Sequence, residues 1–222
     1  MLVKERMTLH PLTMEPTASI TEAHRYMKEN NIRHLPIVAK DGKLVGLVTR
    51  ETLLHAMPSP VTTLSIWEMN YALSKVKVRD VMVRDVITVE EDTSIEKAAH
   101  IMIENKIGCL LVMRGDPSTG SGQALVGIIT DTDMLSTLME LMGARQTGVR
   151  ITLQIPDVRG ELAKVAAAIA GQGGDIVACG TYPAGEPLKG NIVLKVRHVP
   201  QDDLVARLRE LEGVEVLDVR AT

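Results

Sequence analysis

The chain repeats itself, and the repeat limits what it can fold into. Residues 3–54 align with residues 78–135 at an offset of 75. Met7 falls on Met82, Thr13 on Thr88, Ser19-Ile20 on Ser94-Ile95 and Ala23 on Ala98. Met27 falls on Met102, Glu29-Asn30 on Glu104-Asn105, Ile32 on Ile107 and Leu35 on Leu110. After an insertion of six residues the match resumes, with Leu44-Val45-Gly46 on Leu125-Val126-Gly127, Thr49 on Thr130 and Leu54 on Leu135. A unit this short cannot bury both faces of its own sheet, whereas two such units packed together can.

Each copy has the same internal order. A Val/Ile/Thr piece comes first. A helix follows, its apolar stripe at Ile20, Ala23 and Met27 in one copy and at Ile95, Ala98, Ala99 and Met102 in the other. Ser19-x-x-Glu22 and Thr93-x-x-Glu96 read as capping boxes at the two helix starts. Two strands come next, His34–Val38 and Leu44–Thr49, then Cys109–Met113 and Leu125–Thr130; a second helix closes each copy. Lys40-Asp41-Gly42-Lys43 reads as a hairpin turn, and Asp116–Gly122 as a longer loop at the equivalent place. Between the copies, Pro58-Ser-Pro60 precedes a stretch compatible with a helix starting near Thr62 or Thr63, in which Trp67 reads as a packing residue.

The pattern changes at Gly143. Val149–Ile155 alternates as a strand, Pro156–Gly160 as a turn, and a helix starts at Glu161 with Leu162, Val165, Ala166 and Ile169 facing inward. Strands at Asp175–Tyr182 and Asn191–Val196, a helix at Asp202–Leu211 and a strand at Val214–Val219 complete a βαββαβ order, the split unit of ferredoxin-like folds. The fold class is α/β (α+β): a pseudo-two-fold pair followed by a βαββαβ module.

Functional chemistry concentrates in ALVGIITDTDML, residues 124–135. A buried strand ends at Thr130 and a helix opens at once, so a hydroxyl, the Asp133 carboxylate and fresh helix N–H groups share one corner. One reading is an N-cap pair that satisfies backbone donors. The other is a ribose site: an ionised carboxylate accepts both cis hydroxyls, the helix N-terminus favours a phosphate, and Gly127 and Ile128 allow flat packing of a base.

The doubled pattern ending in VGLVTRETLL and VGIITDTDML resembles tandem CBS domains, over residues 1–140. The resemblance implies a cleft for an adenosyl ligand such as AMP, ADP, ATP or S-adenosylmethionine. The Gly-x-x-Thr-x-x-Asp motif is complete at Gly127, Thr130 and Asp133; by pseudo-symmetry Leu12 and Thr13 would line the base, and Arg33 and His34 would face phosphate. The second cleft, at Thr49 and Thr52 with Ile87, Gly108 and Cys109, has Thr52 where the carboxylate should stand. The tail from Thr147 resembles an ACT domain through Asp157-Val158-Arg-Gly160-Glu-Leu162, which implies a small-effector module or a pairing surface at those residues. The CBS–CBS–ACT order resembles the AcuB-like proteins of acetoin utilisation. The expected layout is therefore CBS repeats at 1–60 and 78–142, a connecting helix at 61–77, and an ACT domain at 147–222.

Composition excludes other classes. A net charge of -3 offers no basic excess for nucleic acid, and 2% aromatics with no Phe offers no base-stacking platform. No apolar run approaches the roughly 20 residues of a membrane helix, and MLVKERMTLHP lacks a signal-peptide core, so a cytoplasmic protein is expected. Cys109 and Cys179 read as buried free thiols, and the six histidines show no metal-ligand spacing. No activated nucleophile or acid/base pair stands out. The expectation is a non-catalytic sensor, with no metal and no required cofactor, acting as a homodimer on an unknown regulated protein. The alternative is a homo-oligomeric interaction protein without a ligand.

Overall fold

The computed structural model describes residues 1–56, 71, 73, 75–115 and 124–221. The loop at Asp116–Gly122, Pro58-Ser-Pro60, Trp67 and the start of the connecting helix lie outside the described residues; Tyr71, Leu73 and Lys75 are helical. The chain forms two compact units, Met1–Met134 and Leu135–Thr222. Among the described residues no helix is long and apolar enough to cross a membrane.

In the first unit, a 3-10 turn at Val3–Glu5 leads to β1 (Thr8–Leu9), α1 (Ile20–Glu29), the hairpin β2 (His34–Val38) and β3 (Leu44–Thr49), and α2 (Arg50–Ala56). The second copy supplies α3 (Val78–Val81), β4 (Thr88–Glu90), α4 (Ile95–Asn105), β5 (Cys109–Arg114), β6 (Ala124–Thr130) and α5 (Asp131–Leu141), the last running on into the second unit. Local chemistry explains the boundaries. Ser19 caps α1 reciprocally with Glu22: the Ser19 Oγ accepts from Glu22 N at 3.2 Å while Glu22 accepts from Ser19 N at 2.8 Å. Asp41 accepts from Lys43 N at 3.2 Å and Gly42 takes φ +83°, which closes the β2–β3 hairpin.

The capping box expected at Thr93 and Glu96 is corrected. α4 is capped by Ser94, whose Oγ accepts from Lys97 N at 3.2 Å. Ser94 is the residue that the repeat aligns with Ser19. The reciprocal carboxylate is missing because Lys97 stands at the third helical position.

The two copies exchange their first segments. β1 pairs antiparallel with β6 of the other copy, Thr8 opposite Ile128 and Leu9 opposite Gly127, in a sheet ordered β1-β6-β5-β4. Reciprocally, Val83 and Leu47 exchange two backbone hydrogen bonds of 2.9 Å. Met14 bridges Ile37 as Val89 pairs with Val112, so the first sheet repeats the second with shorter outer pairings. Val3 is fully buried in the second copy's core with Ala98, Leu110 and Ile129; Val78, its repeat partner, is fully buried in the first copy's core with Ile20, Leu35 and Leu53. A third cluster of Leu47, Cys109, Leu111 and Ile128 joins residues of both copies.

The second unit is β7 (Val149–Pro156), α6 (Glu161–Gly171), β8 (Asp175–Pro183), β9 (Lys189–Arg197), α7 (Gln201–Arg209) and β10 (Glu215–Ala221), in sheet order β10-β7-β9-β8 with every pairing antiparallel. Val149, Ile151, Leu153 and Ile155 meet Val165, Ile169, Leu204 and Leu208 of the helices in one core. The inward face of α6 differs from the expected one: Leu162 is exposed, and Glu161, Val165, Ala168 and Ile169 are buried. Turning the stripe by one residue brings a carboxylate inside, which an apolar-periodicity reading passes over. Cys179 is also corrected: it is exposed, on edge strand β8, whereas Cys109 is buried as expected.

Candidate functional site

Both strand-to-helix corners are closed from within, but by different groups. At the second, Asp133 Oδ2 accepts from Thr130 N at 2.8 Å and from Thr130 Oγ1 at 2.7 Å, while Thr130 Oγ1 accepts from Asp133 N at 3.4 Å. At the first, Thr49 Oγ1 accepts from Thr52 N at 3.1 Å and lies 2.8 Å from Thr52 Oγ1. The fold therefore makes the same corner without a carboxylate. Both corners are half-buried, so their polar groups remain within reach of a ligand.

The first-turn N–H groups of α5 are not open, contrary to the expectation. Asp131 N donates to Gly108 O at 3.0 Å, Thr132 N to Asp131 Oδ1 at 2.7 Å, and Asp133 N to Thr130 Oγ1. The positive group at this helix start is instead Arg33. Its guanidinium crosses from the first copy to donate 3.0 Å bonds to Asp131 Oδ1 and Thr132 Oγ1. About half of each partner in the Arg33–Asp131 pair is exposed, so the pair is worth little in isolation.

Gly127 and Ile128 do not offer a flat platform for a base. A Cβ on Gly127 would collide with Met7 Sδ, and one on Gly46 would sit 2.7 Å from Met82 Sδ. These glycines admit the exchanged segment of the other copy. Ile128 points into the shared cluster with Leu47 and Cys109. Leu12 and Thr13 are exposed just beyond β1, whose pairing with β6 continues through His10 N to Val126 O at 3.1 Å.

A cavity of about 570 Å³ adjoins the first corner. Thr49, Ile87, Gly108 and Cys109 line it, together with Arg33, His34 and Asp131, so the structure gathers four of the five residues expected for the second cleft, without Thr52, and adds Arg33 and His34, which were expected for the cleft of Asp133. Gly108 is where they meet: a Cβ there would stand 3.3 Å from His34 Nε2 and 3.5 Å from Asp131 Oδ2. Burial, and then the neighbouring Arg33, hold the His34 pKa below its ordinary value against the pull of Asp131, so the imidazole is neutral at pH 7. Burial, and then Asp131, push the Cys109 thiol up to about 12, which leaves it an inert protonated group. Arg50 and Lys106, also on this wall, were not singled out from the sequence. Comparing the corners TRET and TDTD would have flagged Arg50, which stands where the second copy has Asp131.

Around the second unit's first turn, Asp157, Val158, Gly160, Glu161, Leu162 and Asn191 are among the residues that line a cavity of about 430 Å³. Gly160 caps α6 at φ +96°, and nothing lies within 4 Å of a Cβ built on it, so the positive φ, not a close approach, calls for glycine. Glu161 is 4% exposed. Its Oε1 pairs with Lys164 Nζ, and its Oε2 and Asn191 Oδ1 are buried with no partner among the described residues.

These features coincide with known families. The CBS domain family matches residues 3–59 and 78–140, more than half of the 222 residues. The chain belongs to the CBS domain family. The TTHA0829-like ACT domain family matches residues 147–220, so tandem CBS domains are followed by an ACT-like domain. The Vibrio cholerae protein described as an acetoin utilization protein (AcuB) is 32% identical, with a TM-score of 0.52 over 66% of this chain and 96% of that one. The CBS domain pair of protein MJ0100, in complex with 5'-methylthioadenosine and S-adenosyl-L-methionine, is 30% identical, with a TM-score of 0.50 over 66% of this chain and 98% of that one. L-aspartate semialdehyde sulfurtransferase of Methanocaldococcus jannaschii is 32% identical over 133 residues, 60% of this chain but only 22% of its own length. In that relative the matched stretch is a small part of a larger enzyme.

Proposed function

We propose that this CBS–ACT protein is a regulatory sensor that binds an adenosyl ligand, AMP, ADP, ATP or S-adenosylmethionine, at the corner of Thr130 and Asp133. The observation that carries the reading is the redundancy of the Asp133 carboxylate for folding: Thr52 closes the equivalent corner with a hydroxyl alone. Asp133 Oδ2 takes both Thr130 bonds, and among the described residues Oδ1 takes none. An acceptor-only group with a spare oxygen suits ribose hydroxyls. Arg33, bonded to Asp131 and Thr132 at this helix start, supplies the charge for a phosphate or carboxylate tail, and Leu12 and Thr13 flank the base, while His34 faces the cavity at the other corner. The bound adenosyl compounds of the MJ0100 pair support the ligand class. The cleft of Thr49, Thr52, Ile87, Gly108 and Cys109 has no such carboxylate and binds the ligand less tightly.

Binding shifts the packing between the copies, and a partner reads the change; no catalytic step is assigned. The ACT-like cavity at Asp157, Val158, Gly160 and Leu162 takes a small effector with hydrogen-bond donors, such as an amino acid, because Glu161 Oε2 and Asn191 Oδ1 are unpartnered acceptors on its wall. Likeness to the AcuB protein supports a role in acetoin or carbon metabolism. Exposed Leu135, Leu138, Met139 and Leu141 on α5 support homodimerisation.

The test is calorimetric titration with AMP, ADP, ATP and S-adenosylmethionine. One of them binds wild type, and Asp133→Ala weakens it at least tenfold while lowering stability by about 1 kcal/mol through the lost cap. Equal binding by Asp133→Ala would refute the site. Absence of binding by all four would favour the interaction protein without a ligand.

A further inference from the structure

The helix-free face of the second unit's sheet carries an uncompensated pair of cations. Residues of β7 alternate, so Arg150, Thr152 and Gln154 turn away from the core that holds Val149, Ile151, Leu153 and Ile155. Register places Arg150 directly opposite Lys195 of β9 on one side and Arg220 of β10 on the other. Like charges directly opposite in antiparallel strands are destabilising. The neighbouring arginines are neutralised: Arg220 Nε donates to both oxygens of Asp218 at 3.1 Å, and Arg197 pairs with Asp175 at 2.6 Å. Arg150 and Lys195 have neither an ion pair nor a side-chain hydrogen bond among the described residues.

Lys195 is also buried, at 4% exposure. Its stem is covered by the chain that follows α5: a Cβ on Gly143 would lie 3.5 Å from Lys195 Cδ and 3.3 Å from Ala178 Cβ. Lysine is almost never this buried unless paired, and a methionine would fill the same space without an ammonium. Beside it is a cavity of about 400 Å³, lined by Arg150, Lys195, Thr152 and Tyr182, with apolar walls from Met142 and Val193. None of these residues belongs to the adenosyl corner.

We propose that this cavity binds a small phosphomonoester, with its phosphate between Arg150 and Lys195 and its organic part against Met142 and Val193. Two unpaired cations call for a dianion, and a phosphate monoester carries about -1.5 to -2 at pH 7. The guanidinium fork and the ammonium point charge divide its oxygens. Thr152 and Tyr182 hydroxyls supply further donors.

The experiment titrates the full chain with inorganic phosphate, phenyl phosphate and benzoate at constant ionic strength, followed by calorimetry. Phenyl phosphate is expected to bind more tightly than either of the others. Lys195→Met should weaken it at least tenfold without lowering the melting temperature. Arg150→Gln, at an exposed position that does not endanger folding, should weaken it likewise. Asp133→Ala should leave it unchanged. Failure of phenyl phosphate to bind at millimolar concentration, or undiminished binding by Arg150→Gln, would overturn the site. Tighter binding of benzoate would overturn the phosphate assignment, and loss in Asp133→Ala would move the binding to the adenosyl corner.

Discussion

Thr52 and Asp133 occupy the same place in two copies of one corner, and the difference between them is the most informative substitution in the chain. Both side chains close the turn, so exchanging them changes chemistry more than stability. Thr52→Asp is expected to keep the fold and to create a second binding equivalent for the adenosyl ligand, read as stoichiometry by calorimetry; unchanged stoichiometry would show that the carboxylate is not what the cleft of Thr49 and Thr52 lacks. His34 makes a second residue-scale prediction. Its pKa is lowered in the folded state, chiefly by burial. Below about pH 6.5 the unfolded chain therefore binds a proton that the folded chain refuses. Its contribution is intact above that pH and is lost as pH falls toward the depressed value. His34→Gln should flatten the decline of melting temperature between pH 7 and 5, and an unchanged slope would assign the decline to other groups.

At the scale of elements, the exchanged segments hold the pair together. β1 is only Thr8–Leu9, yet Val3 and Met7 are buried in the other copy's core. Gly127 is small so that Met7 can pass. Gly127→Ala should cost about 1–3 kcal/mol by overpacking, and Met7→Ala in the same chain should recover part of that loss in denaturant titrations. If the two costs simply add, Met7 is not the obstacle. The repeat was legible in sequence, and so were both hairpins, the α1 cap and the βαββαβ order, because each rests on local periodicity or on a side chain three residues from its partner. The exchange was not legible, because no local pattern states which sheet edge a strand will join. The inward face of α6 was misread for a related reason: Glu161 is tolerated inside through Lys164 and the adjoining cavity, a tertiary circumstance that overrides the apolar stripe.

For the whole molecule, two compact units imply two cooperative events. Scanning calorimetry should show the adenosyl ligand raising the transition of Met1–Met134, by roughly 2.7 kcal/mol at 100 times its dissociation constant. Phenyl phosphate should raise the transition of the second unit. A single transition shifted equally by both ligands would mean that the units unfold together.

The sequence by itself determined the doubled architecture, the ferredoxin-like tail and the asymmetry of the two corners, since repetition and residue identity need no third dimension to be read. Tertiary structure alone decided that the motif glycines admit methionines rather than a base, that Arg33 rather than open helix N–H groups presents positive charge at Asp131 and Thr132, and that Lys195 is buried beside Arg150 without a counter-charge among the described residues. Each depends on the approach of residues distant in the chain, and burial, collision and charge balance exist only once those residues have met.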